Sequence, residues 1–183
     1  MKYIWMFCLA LFSGSLFAQE AAEVDPFDLS SSESKVQKLG LVTQPGVEAL
    51  EQKAKELFNS GQCAEAIPVL EEYAEKANWL GNMISASLDP YYNASYDDRD
   101  DFPYSKLKPL IPLETLANDY KEKRNIAFAM RGECLVKTGQ KEKAIPVLLK
   151  ALKLTDLGSE KWWKRTRQNL LSVIEVAITT TSN

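Results

Sequence analysis

A repeated ten-residue segment constrains the fold of this chain more than any other feature. GQCAEAIPVL occupies positions 61–70 and GQKEKAIPVL occupies positions 139–148, and seven of the ten positions are identical. In each copy the glycine separates two stretches whose apolar or small residues recur at helical spacing. The glycine ends the first stretch, because the residue after a helix end commonly adopts a left-handed conformation that glycine tolerates best. Each copy therefore predicts a helix, a tight turn and an antiparallel helix.

The match between the copies extends beyond the ten residues. The matched pairs are Leu50 and Phe128, Ala54 and Gly132, Leu57 and Leu135, Ala66 and Ala144, Ile67 and Ile145, and Leu70 and Leu148. This pattern resembles the tetratricopeptide repeat (TPR). It consists of a bulky residue, a small residue four positions later, a glycine turn, and then a small and a bulky residue. The resemblance implies an all-α fold with two TPR-like antiparallel helical hairpins, at about 47–80 and 125–158. Tyr73 departs from the match, since the second copy has Ala151 at that position.

The spacing of the two copies is irregular for such a repeat. Gly61 and Gly139 lie more than two family periods of about 34 residues apart. We expect the helices that flank the gap to be elongated, over 64–88 and 112–137, and to pack antiparallel with a long loop at 89–111 between them. The alternative is a degenerate repeat hidden in 81–124. A final amphipathic helix, capped by Ser159, is expected to cover the last hydrophobic face of the array.

The N-terminal residues predict export. A lysine followed by an apolar run and then small residues makes 1–18 a secretory signal peptide, too short to span a membrane. Residues 19–46 are polar and mostly aperiodic, and they predict a flexible N-terminal tail. The TPR-like domain then covers 47–180. We expect an exported protein, periplasmic or secreted, with no transmembrane span after the leader is cleaved.

Composition argues against most catalytic chemistry. The chain has no histidine, which removes the commonest general base and the commonest metal ligand. With 22 basic and 25 acidic side chains it is mildly acidic, so nucleic acid is not expected as a partner. No phosphate-binding glycine motif is present. We therefore expect no enzyme activity, no cofactor and no metal.

Cys63 and Cys134 are the two cysteines that follow the leader. If the elongated helices are antiparallel, the start of one lies beside the end of the other, and the two thiols come within about a helical turn. A disulfide is then plausible in an oxidising compartment. The sequence equally allows two free thiols, one buried at Cys134 and one exposed at Cys63.

Two surfaces are candidates for binding a partner protein or peptide. The family resemblance implies a groove on the first helix of each unit, lined by Lys55, Phe58, Asn59, Glu133, Val136 and Lys137. The loop at 89–111 is the other, because long loops often bind partners and exposed tyrosines suit protein recognition. Its candidate residues are Tyr91, Tyr92, Tyr96, Asp97, Asp98 and Tyr104. The alternative for this loop is that its tyrosines pack back onto the helices.

These observations favour a non-catalytic protein–protein interaction module, an adaptor or scaffold in the cell envelope or secreted space. One alternative is a structural subunit of a larger envelope assembly, because two repeats and a cap are near the minimum for a stable array. Another is a hydrolase that uses paired carboxylates, with Glu114 or the aspartates of 97–101 as acid and base.

Overall fold

The regular structure of the chain is helical. A computed structural model describes residues 29–91 and 94–176, and these ranges contain no strand. The predicted all-α class is therefore confirmed. The chain divides into one unit that ends at Lys38 and a second that begins at Leu39. The helices are α1 Ser30–Leu39, α2 Gln44–Asn59, α3 Cys63–Ala86, α4 Tyr96–Asp100, α5 Tyr104–Leu107, α6 Ile111–Lys137, α7 Lys141–Leu154 and α8 Glu160–Val173, with a 3₁₀ turn at Leu157–Ser159 before α8.

Helix α1 lies inside the segment that was predicted to be a flexible tail. None of its residues is buried, so its sequence has no apolar periodicity that would predict a helix. Glu33 in its first turn and Lys38 in its last turn favour a helix because they complement the helix dipole. Gly40, with a φ of 67°, follows its end. The predicted leader at 1–18 lies outside the described residues, as does the predicted tail up to residue 28.

The two glycine turns of the repeat have the same geometry. Gly61 has a φ of 77° and Gly139 a φ of 76°, both in the left-handed region. The amide of Gln62 donates to the carbonyl of Leu57 at 2.9 Å, and the amide of Gln140 donates to the carbonyl of Leu135 at 2.8 Å. These hydrogen bonds, each from an amide to the carbonyl five residues earlier, end α2 and α6 in the same way. The repeated Gly-Gln pair therefore makes two equivalent turns, α2 to α3 and α6 to α7.

Helices α3 and α6 are the elongated pair that the spacing predicted, and they run antiparallel. Early in α3, Glu71 accepts a salt bridge from Arg131 at 2.8 Å. Late in α3, Ser85 accepts a hydrogen bond from Lys121 at 2.8 Å. The helices approach closely near Gly81, where a Cβ would lie 3.1 Å from the carbonyl oxygen of Ala117. A small residue is thus favoured at position 81, where the two backbones approach closely.

The core has two parts. The larger cluster lies among α2, α3 and α6, with the fully buried Leu70 and Tyr120 near its centre. The smaller lies where α7 and α8 meet the end of α6, around Leu135, Leu148 and Val173. Helix α8 therefore covers the last hairpin, as a cap should. Over the described ranges, no helix combines the length and the apolar character needed to cross a membrane.

The connection between α3 and α6 contains only the short helices α4 and α5 in its described residues. The rest of 81–124 belongs to the ends of α3 and α6. No further hairpin of full-length helices lies in the described part of this stretch, so the elongated helices account for the irregular spacing. The predicted loop at 89–111 is partly helical because Ser95 caps α4, accepting a hydrogen bond from the amide of Asp98 at 3.1 Å.

Candidate functional site

A cleft separates α2 from α6, and its floor is formed by side chains of the larger core cluster. Both helices pack on α3, but they meet each other mainly through long side chains. Tyr120 donates a hydrogen bond to Glu48 at 3.4 Å, and Lys123 lies 3.5 Å from the carboxylate of Glu51. Because these bridges span the gap, a cavity of about 240 Å³ remains between the helices.

The cavity has an apolar floor and a charged rim. Its lining residues are Glu51, Ala54, Lys55, Tyr73, Asp119, Glu122, Lys123, Ile126 and Met130. Ala54, Tyr73 and Met130 are buried, and together with the partly buried Ile126 they form the floor. The remaining five residues carry charge and form the rim. Hereafter we call this cavity and its rim the central cleft.

Four of the five charged residues of the rim form two ion pairs. Lys55 lies 2.5 Å from Glu51, and Lys123 lies 2.9 Å from Asp119. Burial alone would lower the pKa of Lys123, but the hydrogen bond with Asp119 and the charge of Glu51 outweigh it and raise that pKa. Lys123 is therefore a fixed cation that draws the two walls of the cleft together.

Tyr73 brings a polar group into the floor of the cleft. Burial raises the pKa of its hydroxyl, and a hydrogen bond with Glu51 raises it further. The phenol is therefore protonated at neutral pH and donates to the carboxylate rather than acting as a nucleophile. Apart from this hydroxyl the floor is apolar, so the cleft can accept one large apolar side chain with polar or charged groups beside it.

The end of the predicted groove that lies nearer Gly61 is closed by α8. The carboxylate of Glu133 accepts two hydrogen bonds from Arg165, one from Nε and one from Nη2 at 2.6 Å, and Lys137 lies 2.8 Å away. The Phe58 ring lies 6.1 Å from that of Trp162, and the Arg165 guanidinium lies 5.2 Å from the centre of the Phe58 ring. Burial favours the neutral form of Glu133, but Arg165 and Lys137 lower its pKa overall.

This arrangement corrects the predicted groove. Phe58, Glu133 and Lys137 do come together, but α8 covers Phe58 and Glu133 through Trp162 and Arg165, and of the three only Lys137 is exposed. Val136 packs into the smaller core cluster instead of facing the groove, because it lies on the side of α6 that meets α7. Asn59 is exposed at the end of α2. Only Lys55 of the six predicted groove residues lines the central cleft.

Cys63 and Cys134 are joined by a disulfide, with their Cα atoms 4.8 Å apart. The bond ties the first residue of α3 to the last turn of α6, immediately beside the two glycine turns. It therefore fixes the two helices that form the floor and one wall of the central cleft. Of the two alternatives that the sequence left open, the structure has the bonded form.

The tyrosines of the 89–111 segment do not behave alike. Tyr91 packs against Phe102, with ring centres 5.3 Å apart, whereas Tyr96 and Tyr104 are largely exposed. Tyr92 lies outside the described residues. A recess of about 510 Å³ lies beside Tyr91 and Phe102. One described tyrosine therefore packs within the segment itself, on Phe102, and two face solvent; partner binding by this loop stays a prediction.

Most of the acidic residues considered for a hydrolase lie on α4 or directly after it. Asp98 accepts a hydrogen bond at 2.6 Å from the hydroxyl of Ser95, the residue that caps α4, and Asp97 is exposed in the same first turn. Glu114 lies in the first turn of α6. In the ranges 29–91 and 94–176, no group of three or more Cys, Asp or Glu side chains could hold a metal ion.

Sequence reasoning missed most of the central cleft. The one available signal was Tyr73, which breaks the match between the two copies where the second has Ala151. Ala151 is fully buried, whereas the larger Tyr73 reaches the cavity.

Ser159 was expected to cap α8 with its side chain. Its hydroxyl instead donates to Glu122 at 2.6 Å, and Asp156 accepts a hydrogen bond from its backbone amide.

Comparison with protein-family models, with curated proteins and with solved structures finds no match to this chain.

Proposed function

We propose that this protein is an exported, non-catalytic adaptor that holds a segment of another protein in its central cleft. The observation that carries the proposal is the cleft itself. Its two walls are bridged by charged side chains over a buried apolar floor, and one disulfide fixes the helices around it. Such a combination suits an apolar anchor residue on a partner chain, with the rim setting its orientation.

The TPR-like character of the two hairpins belongs to the same proposal. It is supported by the equivalent turns at Gly61 and Gly139 and by the equal burial of matched residues, since Leu70 and Leu148 are both fully buried. Export is supported by the apolar leader and by the disulfide, which persists in oxidising compartments. The non-catalytic part rests on the lack of histidine in the whole sequence.

A selection with a displayed library of random peptides tests this proposal. Peptides are selected on the intact, oxidised protein, and their affinities are then measured for two variants. Ile126→Asp places a charge in the central cleft. Ile145→Asp, on α7, is the matched control, because Ile145 is also a partly buried residue packed on a core cluster.

We expect peptides that bind the native protein and the Ile145→Asp variant but not Ile126→Asp. Thermal melting of both variants shows that each is folded. Peptides that bind Ile126→Asp as well as the native protein would place binding elsewhere and overturn the proposal. Failure to select any cleft-dependent peptide would overturn it too.

A further inference from the structure

Three recesses are linked by shared lining residues, and hereafter we call them together the trough. The central cleft shares Asp119 and Glu122 with a second recess, of about 600 Å³, that also reaches Asp156. A third recess, of about 420 Å³, begins at Asp156 and ends against Trp163. The trough therefore runs from the α2–α6 cleft across α6 to the first turn of α8.

Carboxylates outnumber cations along this trough. Its acidic residues are Glu51, Asp119, Glu122, Asp156 and Glu160, and its basic residues are Lys55, Lys121 and Lys123. Each lysine already has a partner within the protein: Glu51 for Lys55, Ser85 for Lys121, and Asp119 for Lys123. The hydrogen bond to Ser85 leaves the charge of Lys121 in place. The five carboxylates and three lysines give the lining a net charge of −2, so the field that an incoming chain meets is mildly negative.

The carboxylates towards α8 are the ones that can accept an outside cation. Among the described residues, no lysine or arginine forms a salt bridge with Glu122 or Asp156; both bond to Ser159 instead. Glu160 pairs with Lys164, but both side chains are about two-thirds exposed, so that pair is weak and can be exchanged. Beside them, Trp163 is partly exposed, and the guanidinium of the protein's own Arg167 lies 5.6 Å from the centre of its ring, so the indole is already in a site where it contacts a cation.

We infer that the trough binds an extended basic segment of the partner, with its apolar anchor in the central cleft and lysine or arginine side chains between Asp156, Glu160 and Trp163. This inference rests on the proposed function and adds the chemistry of the partner. Charge complementarity supports it, because an acidic or neutral segment would place no cation opposite the excess of carboxylates.

The same displayed library tests the inference. The variant Asp156→Asn/Glu160→Gln removes both charges, while the amide oxygen introduced by Asp156→Asn can still accept the capping hydrogen bond from the backbone N–H of Ser159. The matched control is Glu65→Gln/Glu142→Gln. Like Glu160, these residues lie in the first turns of helices, α3 and α7, so the control repeats the dipole effect outside the trough.

We expect the selected peptides to be rich in lysine and arginine around one apolar residue. Their affinity should fall about three- to tenfold on Asp156→Asn/Glu160→Gln, stay unchanged on the control, and weaken as salt is raised. Neutral or acidic peptides that still depend on Ile126 would overturn this inference and leave the proposed function standing. Basic peptides that bind both double variants equally would also overturn it. Peptides whose affinity is unchanged by Ile126→Asp would overturn both this inference and the proposed function.

Discussion

Gly132 and its matched residue Ala54 occupy the same position of the repeat but have different surroundings in the two copies. A Cβ on Gly132 would lie 2.5 Å from Cδ2 and 2.9 Å from Cγ of Leu148, which is fully buried, so α6 and α7 need a glycine there. The first copy has Ala54 at the matched position, and Ala54 lines the central cleft. The second hairpin is thus tightly packed where the first leaves a cavity.

Substitution of Gly132 tests this packing. Gly132→Ala should lower the free energy of unfolding by about 1–3 kcal/mol, because overpacking outweighs the gain of about 1 kcal/mol in helix propensity. Urea denaturation measures the change. In a Leu148→Ala background the clashing atoms are absent, so the same substitution should be neutral or stabilising. An equal loss in both backgrounds would show that the contact with Leu148 is not the cause.

Glu133 is the buried charge of the core, and its ionisation links stability to pH. Arg165 and Lys137 hold its folded-state pKa below the unfolded value of about 4.3. The unfolded chain therefore binds the proton more readily in acid. The stability that Glu133 contributes is fully present above about pH 4.3, and it is lost as the pH falls through the folded-state pKa.

Glu133→Gln should therefore remove part of the pH dependence. We expect the native protein to lose more unfolding free energy than this variant between about pH 7 and about pH 3. Urea denaturation at the two pH values gives the comparison. Glu142→Gln, at an exposed position on α7, should lose as much as the native protein does. Parallel losses in native protein and Glu133→Gln would refute the linkage.

At the scale of helices, the sequence predicted the long elements well and the short ones poorly. The expected 64–88 and 112–137 agree with α3 and α6 within two residues, because a glycine turn or a proline stands near three of their four ends. Helix α1 was missed because it buries nothing, and α4 and α5 were missed because four or five residues show no period. Such helices depend on caps and end charges rather than on a hydrophobic face.

The position of α8 could not be derived from its own pattern. Its apolar face indicated a cap, but the pairing of Arg165 with Glu133 joins two helices far apart in sequence. From the sequence alone, each of these two residues is expected to be an ordinary charged residue on the surface. The groove predicted from the family resemblance was therefore partly filled, and the open cleft lies further along α6, around Lys123 and Ile126.

Loss of the disulfide should weaken the α3–α6 pair. Cys63 and Cys134 are 71 residues apart, and closing a loop of that size stabilises a fold by about 4 kcal/mol in the chain-entropy model. We expect Cys63→Ser/Cys134→Ser to lose stability of that order in urea denaturation. Reduction of the native protein should lower its stability similarly. Mass measurement with a thiol-alkylating reagent comes first, since two alkylated thiols in the native protein would contradict the bond.

At the scale of the molecule, α8 covers only part of the surface that α2 and α6 form together. Helix α8 seals the part around Phe58 and Glu133, and the part around Tyr73 and Ile126 stays open as the central cleft. Because α8 covers one end, the accessible part of this surface lies between α2 and α6. A partner that binds through this fold should therefore contact the rim of the central cleft.

Photo-crosslinking in the cells that make the protein tests this account most directly. A photoreactive residue at position 55 stands on the rim of the central cleft, and one at Leu149, half-exposed on α7, is the control. We predict a specific protein crosslink from position 55 that disappears when Ile126→Asp is added, and none from position 149. A crosslink from position 149 alone, or one from position 55 that survives Ile126→Asp, would contradict the central cleft as the binding surface.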